Sequence, residues 1–433
     1  MKSRLHKTID QVSRRHFIKA SAAVSLAALT SPTASRVYAA GSDKVRVALI
    51  GCGSRGTSAA GNCLESDPGA ELVAMADVFQ DKLDESLAKL KGKYAGKVSV
   101  TGETSFTGFD AYKKIMALSS VDIVLLATPP GFRPEHVKAA VDAGKHIFME
   151  KPGAVDPVGA RSVITSSELA EKKKLSIVVG TQQRRMNHYR EILRRIQDGQ
   201  IGRVVGGQCY WNWGSQNWHF QKRKAEWSDM EWQIRCWPYF VWLSGDHIVE
   251  QHLHNLDIIN WAMGSHPVQC LGMGGRQVRT GPEYGNIFDH FSVEYEYPNG
   301  VRVFSMCSQI NGTHNIEAER VVGTKGQTYM TRGLGYIEGQ NAYKYDGPRG
   351  NAMVTEHADL INSIRDGKPI NEGRQLAEST LTAIMGRMSA YTGRAMKWDW
   401  VMNASKLDLR PEKYELGDLP VRHLPIPGKT PLV

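Results

Sequence analysis

Five short apolar runs rich in β-branched residues mark the first part of the chain, at 44–50, 71–76, 121–127, 145–149 and 175–180. Near-continuous apolar character is the pattern of strands covered on both faces of a parallel sheet. Between them helices are predicted over 57–64 and 134–143, the second stopping at Gly144, a residue suited to a helix C-terminus. Strand–helix alternation of this kind predicts a doubly wound parallel sheet with ligands at the carboxyl ends of its strands. After about Thr181 the alternation ceases. Phe291, Val293, Tyr295 and Tyr297 then alternate with Ser292, Glu294 and Glu296, and Pro298-Asn299-Gly300 turns the chain into 301–310. That is a hairpin, with Asn-Gly supplying positive φ angles. The second part is therefore expected to be an α+β domain built on a mostly antiparallel open sheet. Helices are predicted over 248–263, 356–366 and 375–391. Five prolines after Lys406 imply an extended tail, expected to lie across a neighbouring subunit.

The first apolar run ends in G-C-G-S-R-G at 51–56. Glycines at this spacing permit a tight turn, close backbone approach to a pyrophosphate and close helix–strand packing, while the following helix N-terminus offers free N–H groups. The second run ends at Asp77, 21 residues beyond the third glycine, where a carboxylate accepts the adenosine ribose hydroxyls. The α/β class thus sharpens to an N-terminal Rossmann domain over 41–181 with NAD as cofactor. NADP is disfavoured by the charge of Asp77, although Arg55 is able to meet a phosphate of either. Gly51, Gly53, Ser54, Arg55, Gly56, Asp77, Thr128, Pro129, Glu150 and Lys151 are the candidate cofactor contacts.

Charge changes the picture little. Residues 1–40 hold seven Lys/Arg and one Asp; without them the formal charge falls from +10 to +4, which gives no support to nucleic-acid binding. That leader contains Ser13-Arg14-Arg15-His16-Phe17-Ile18-Lys19, an apolar stretch of ten residues at 20–29 and Val37-Tyr38-Ala39. These features read as a twin-arginine export signal of residues 1–40 with a cleavage site, and the stretch is too short to span a bilayer. The expected product is periplasmic and soluble, with no membrane insertion, exported already folded around its cofactor by the twin-arginine machinery. The six cysteines form no C-x-x-C pair and are read as buried thiols.

On G-C-G-S-R-G, A-T-P-P at 127–130, H-V-K-A-A-V-D-A-G-K-H-I-F-M-E-K-P at 136–152 and E-Q-H-L-H-N-L-D at 250–257, the chain resembles the glucose–fructose oxidoreductase / inositol dehydrogenase (Gfo/Idh/MocA) family. The resemblance runs to about Trp400. It implies that Lys151 contacts the reacting hydroxyl and that the Lys151–Pro152 bond is often cis. It also implies a substrate-binding and dimerisation domain over 182–403, followed by a tail over 404–433. The family's usual D-x-G-x-H-x-x-D is altered to Glu250 and His252 at its first two places, whereas His254 and Asp257 match. His254 is the expected general base, since imidazole titrates near neutrality. Glu250 is expected to orient it or bind substrate, and Asp257 to be structural. On one helix Glu250, His254 and Asp257 would share a face. A metal held by His247, Glu250 and His254 is the rival use of these side chains, and no metal is predicted.

Seven of the ten tryptophans fall between 211 and 242, interleaved with polar residues. Flat rings with polar edges suit sugars, so this segment is expected on the substrate side, with Trp213, Arg235 and Trp237 joining Glu250 and His254 as substrate contacts. Arg184 and Arg185 are open to either cofactor or substrate. The reading is an exported NAD-dependent oxidoreductase of a sugar, polyol or glycoside, assembled as a homodimer or homotetramer. The alternative is a redox-neutral glycoside hydrolase on the same scaffold, because exported NAD-dependent α-N-acetylgalactosaminidases resemble this chain in leader and nucleotide loop. A lesser alternative is a non-catalytic sugar-binding protein that retains NAD.

Overall fold

The computed structural model describes residues 44–214 and 219–433. The export leader, its cleavage motif, and Gln216, Asn217 and Trp218 of the aromatic segment lie outside the described residues.

Strands β1 (Val45–Ile50), β2 (Ala70–Asp77), β3 (Ser105–Thr107), β4 (Ile123–Leu126), β5 (His146–Met149) and β6 (Ile177–Val179) form one parallel sheet in the order β3-β2-β1-β4-β5-β6. Every residue of β4 and β6 is buried, as their unbroken apolar sequence requires. The chain leaves β1 for β2 on one side and later returns to pair β4 on the other, which opens a crevice at the carboxyl end of β1. The helix after the glycine loop, Ser54–Ser66, begins three residues earlier than predicted, with extended Gly53 as its N-cap. Its buried face begins with the small residues Gly56, Ala59, Ala60 and Gly61 and ends with Cys63 and Leu64.

Strands β7 (Val204–Asn212), β8 (Gln269–Gly275), β9 (His290–Glu296), β10 (Arg302–Ser308), β11 (Ile316–Gly323), β12 (Gly326–Thr331), β13 (Leu334–Gly339), β14 (Tyr343–Lys344) and β15 (Met396–Lys397) make the second sheet, in the order β14-β13-β12-β11-β7-β10-β9-β8-β15. Only β7 and β10 pair in parallel. The β9–β10 hairpin is present as read: Tyr295 faces Val303, and Asn299 and Gly300 turn the chain at φ of 67° and 75°.

Three expectations change. The helix read over 248–263 is two helices, His247–Glu250 and Leu253–Met263, with Gln251 at φ −112° and ψ −56° between them. The amide of His254 bonds to the Gln251 carbonyl rather than to that of Glu250, which Lys151 takes instead. Second, the chain returns to the nucleotide sheet after leaving it. The helix Ala352–Arg365 packs on Ser54–Ser66 and adds Leu360 and Ile361 to that core, and β6 exchanges hydrogen bonds with Ile370 and Glu372. Third, the tail beyond Ser405 runs extended over its own chain. The Leu409 amide bonds to Asp156, Gly428 to Thr392, and the Ser405 hydroxyl to the Val433 carbonyl. The six cysteines are all buried and unpaired.

Candidate active site

The crevice at the carboxyl end of β1 widens into a cavity of about 640 Å³, within the range of small-molecule sites. Its floor is the glycine loop. Gly51 has φ +96°, and a Cβ there would come within 2.6 Å of the Ala127 carbonyl carbon. A Cβ on Gly56 would lie 1.8 Å from the Gly51 oxygen, so helix and turn touch backbone to backbone. At Gly53 a Cβ would meet nothing within 4 Å, so the chain leaves open the place where a pyrophosphate would approach. No side chain caps the helix that follows, and its first turn holds no acidic residue. This bare, positive helix end suits an anion.

At the far side of the loop Asp77 accepts the amides of Cys52 (2.6 Å) and Phe79 (2.9 Å). Burial pushes its pKa up, against the pull of these two N–H groups. These features together fit a dinucleotide: open floor, free helix terminus and a fixed carboxylate. Gly51, Gly53, Ser54, Arg55, Gly56, Asp77, Thr128 and Pro129 all line this cavity. Glu150 reaches it through Arg55, whose Nε lies 2.6 Å from Glu150 Oε1. Thr128 shares a hydrogen bond with His136, whose pKa burial and then the charge of Arg133 depress to about 3.

Lys151 lies two residues beyond the end of β5, and its bond to Pro152 is cis. Its ammonium donates to the Glu250 carbonyl oxygen and lies 2.7 Å from Glu250 Oε1. Glu250 is thus a partner of Lys151 and not of His254, because the break between the two short helices turns its carbonyl and carboxylate toward β5. His254 opens the second of those helices and is 4% exposed. Its ring stacks 5.9 Å from that of Trp211 at 19°, and its Nδ1 has no hydrogen-bond partner among the described residues. Burial, and after it the charges of Lys151, Arg332 and Arg55, holds its pKa well below the ordinary imidazole value. These influences oppose protonation and hold the ring in its uncharged form, with Nδ1 open to a hydrogen bond.

His252, expected to crowd the pocket, is fully buried against the second sheet and bonded to Ser305 Oγ (2.7 Å) and Asn255 (3.1 Å). Asp257 accepts from Arg184, Gln375 and Ser379. Arg185 pairs with Glu372 and Asp359, so neither arginine faces the cavity. His247 lies against the Phe291 ring, and among the described residues no three His, Cys, Asp or Glu side chains are grouped to hold a metal.

From the aromatic segment, Arg235 and Trp237, expected as substrate contacts, line the same cavity as the glycine loop, as do His219 and Trp227. Arg235 lies 3.9 Å above the Phe79 ring and pairs with Asp81 (3.0 Å) and Glu231 (2.8 Å), so two acidic groups draw it across the end of β2. Trp213, half-exposed after β7, stays near Trp211, with ring centres 6.2 Å apart. Of two neighbours of His254, Trp211 was read only as part of the aromatic segment and Arg332 was not singled out from sequence. Period-two alternation through Cys209 would have marked Trp211 as inward-facing. Arg332, 5.0 Å from the Trp211 ring, comes from the β12–β13 turn and carries no local signal.

Residues 45–181 match the family model described as "Oxidoreductase family, NAD-binding Rossmann fold", and residues 189–329 match the "GFO/IDH/MocA C-terminal domain". Residues 11–31 match the twin-arginine translocation pathway signal sequence. A glycosyl hydrolase family 109 protein of Shewanella sp. (strain W3-18-1) is 25% identical over 223 residues, covering 46% of this chain and 46% of that protein. The chain thus spans about half the length of the curated relatives it matches. The aldose-aldose oxidoreductase of Caulobacter crescentus, solved with glycerol, superposes with a TM-score of 0.65 at 18% identity, over 82% of this chain and 99% of that one. The WlbA dehydrogenase of Chromobacterium violaceum, solved with NADH and UDP-GlcNAcA, gives 0.62 at 20% identity, over 82% and 96%. These two likenesses show a shared fold.

Proposed function

The chain belongs to the Gfo/Idh/MocA oxidoreductase family and carries a twin-arginine export signal, and from that premise we propose that it oxidises and reduces a carbohydrate or polyol hydroxyl outside the cytoplasm, on a nicotinamide cofactor it retains. The observation that carries this reading is the Lys151–Glu250 pair at the end of β5, with neutral His254 in the field of the same lysine.

Gly51–Gly56 and the helix terminus hold the pyrophosphate, Asp77 the adenosine ribose, and Thr128, Pro129, Arg55 and Glu150 the remainder. A carboxylate at Asp77 would repel a ribose phosphate, which favours NAD over NADP. A nicotinamide held there would supply a reversible hydride acceptor for the carbinol carbon. Lys151 turns from Glu250 to the substrate oxygen and holds the charge that develops there. A ring nitrogen of His254 takes the hydroxyl proton on oxidation and gives it back on reduction. Trp213 offers a face to the C–H side of a sugar ring. The outer face of the second sheet, where Leu271, Met273 and Phe304 are exposed, is the surface we assign to a homo-oligomer.

The test is to incubate the purified mature protein with nitrophenyl glycosides and free sugars, without added NAD, following nitrophenol and bound NADH. NADH that accumulates with a free sugar and is discharged by a second carbonyl compound supports the oxidoreductase. Nitrophenol released over many turnovers with no lasting NADH replaces it with a redox-neutral glycosidase. Neither signal, with nucleotide still bound, leaves a sugar-binding protein.

A further inference from the structure

The nucleotide cavity is not bounded by the Rossmann domain alone. Its adenosine end, marked by Asp77 and Phe79, is covered by the helix Asp229–Arg235 of the aromatic segment. Arg235 reaches from that helix across the mouth, paired with Asp81 through two hydrogen bonds of 3.0 and 3.1 Å and stacked on Phe79.

A seven-residue helix has little stability of its own, and this one is held by the C-terminal tail. Met230 donates its amide to the Gly417 carbonyl (3.1 Å), Asp229 accepts the Leu419 amide (3.1 Å), and the Gln233 side chain donates to the Leu419 carbonyl (2.5 Å). The same stretch of tail is anchored to the nucleotide domain. The Leu409 amide bonds to Asp156 (2.8 Å), Arg410 pairs with Glu135 (3.2 Å), and Tyr414 packs on Phe109 and Phe132, at ring distances of 6.1 and 5.2 Å. Phe109 and Phe132 themselves line the cavity. The tail therefore touches the covering helix at one end and the nucleotide domain at the other.

We propose that residues 409–419 act as a strap that locks the helix Asp229–Arg235 over the adenosine half of the bound dinucleotide, so that the nucleotide leaves only when the strap lifts. This rests on the dinucleotide reading above and adds to it a retention element made by this chain alone. A cofactor used outside the cytoplasm, where none is free to rebind, needs slow release more than fast loading. Release rate is also where binding differences within one site usually fall.

The experiment measures exchange of NADH from the full-length loaded protein after it is mixed with excess unlabelled NAD, by the decay of bound NADH fluorescence. Three variants are compared: Tyr414→Ala, Arg235→Gln and Tyr414→Phe. The tyrosine hydroxyl has no hydrogen-bond partner among the described residues, so Tyr414→Phe should exchange like the parent. Tyr414→Ala and Arg235→Gln should each release NADH about tenfold faster or more, with circular dichroism and melting showing that each is folded. Asp229→Ala, which frees the Leu419 amide, is the reserve if Tyr414→Ala does not fold. Exchange unchanged in the folded variants overturns the strap while leaving the dinucleotide reading intact. A parent protein that binds no NADH at all overturns the reading beneath it. A parent that exchanges its nucleotide within seconds overturns the strap alone.

Discussion

The nucleotide cavity and the proposed reacting centre adjoin the carboxyl ends of β1 and β5 and are built in opposite ways. The cavity is made by backbone: three glycines, a bare helix end and one carboxylate fixed by two amides. Its parts fall within 27 consecutive residues and face open space. The reacting centre is made by side chains that hold each other: Lys151 on Glu250, His254 on Trp211 beside Arg332. Its parts come from positions 151 to 332 and are mostly buried. A backbone site is tolerant of side-chain change but intolerant of any atom added at a glycine. A side-chain site is the reverse.

The largest break in that comparison is Lys151→Ala. Turnover should fall about 1000-fold, in the range of a lost proton-transfer group, while nucleotide titration is unchanged. Parallel loss of nucleotide affinity would place Lys151 in the cavity instead. Next, Gly56→Ala puts a Cβ 1.8 Å from a backbone oxygen and should cost about 3 kcal/mol by overpacking, read from denaturant midpoints. Gly53→Ala, open to 4 Å, should keep stability and weaken nucleotide binding. Equal melting of the two glycine variants would dissolve the distinction.

A smaller effect is expected from Glu250→Gln, which keeps the lysine near its carbonyl but removes the carboxylate charge. Turnover should drop by about tenfold, while nucleotide affinity stays unchanged. Unchanged turnover would deny Glu250 any part in setting the lysine.

The smallest effect concerns both regions together. Burial holds His136, His247 and His357 at pKa of about 3 and His146 and His252 at about 4. Their unfolded value is near 6.5, so the stability they contribute is complete above that pH and is lost as pH falls toward 4 and below. Asp246, raised to about 6, and Glu319, raised to about 8, act oppositely. Their contribution is complete in acid and is lost as pH rises through those values. The melting temperature should peak at about pH 6.5 and fall more steeply on the acid side. The five rings are drawn from both regions, so calorimetry should show one transition at every pH. Two separate transitions would mean that the returning helix Ala352–Arg365 does not join them.

Legibility followed the same division. Parallel strands announced themselves as apolar runs because both faces are covered, and the hairpin at Asn299-Gly300 because such residues take those φ angles at least cost. The helix break at Gln251 was hidden. Nothing in I-V-E-Q-H-L-H departs from helical patterning, and the Glu250 carbonyl freed at the break is taken by Lys151, 99 residues away. Arg235 was equally opaque. An arginine among tryptophans suits a sugar site as well as it suits Phe79 and Asp81, and only the packing of one domain on the other selected between them. The tail looked like an arm for another subunit because proline-rich extension fixes its shape and not its partner.

What the sequence by itself determined is therefore the local and the periodic: the export signal, the parallel sheet, the glycine loop with Asp77, and the identity of Lys151 and His254 as chemical candidates. These depend on steric limits and hydrogen-bond geometry within a few residues. Which side chains meet was decided by tertiary structure alone: Lys151 with Glu250, His254 with Trp211, Arg235 with Asp81, and residues 409–419 with both the nucleotide domain and its covering helix. Those pairings are contacts between distant segments. Their energies exist only once the two sheets have set the distances.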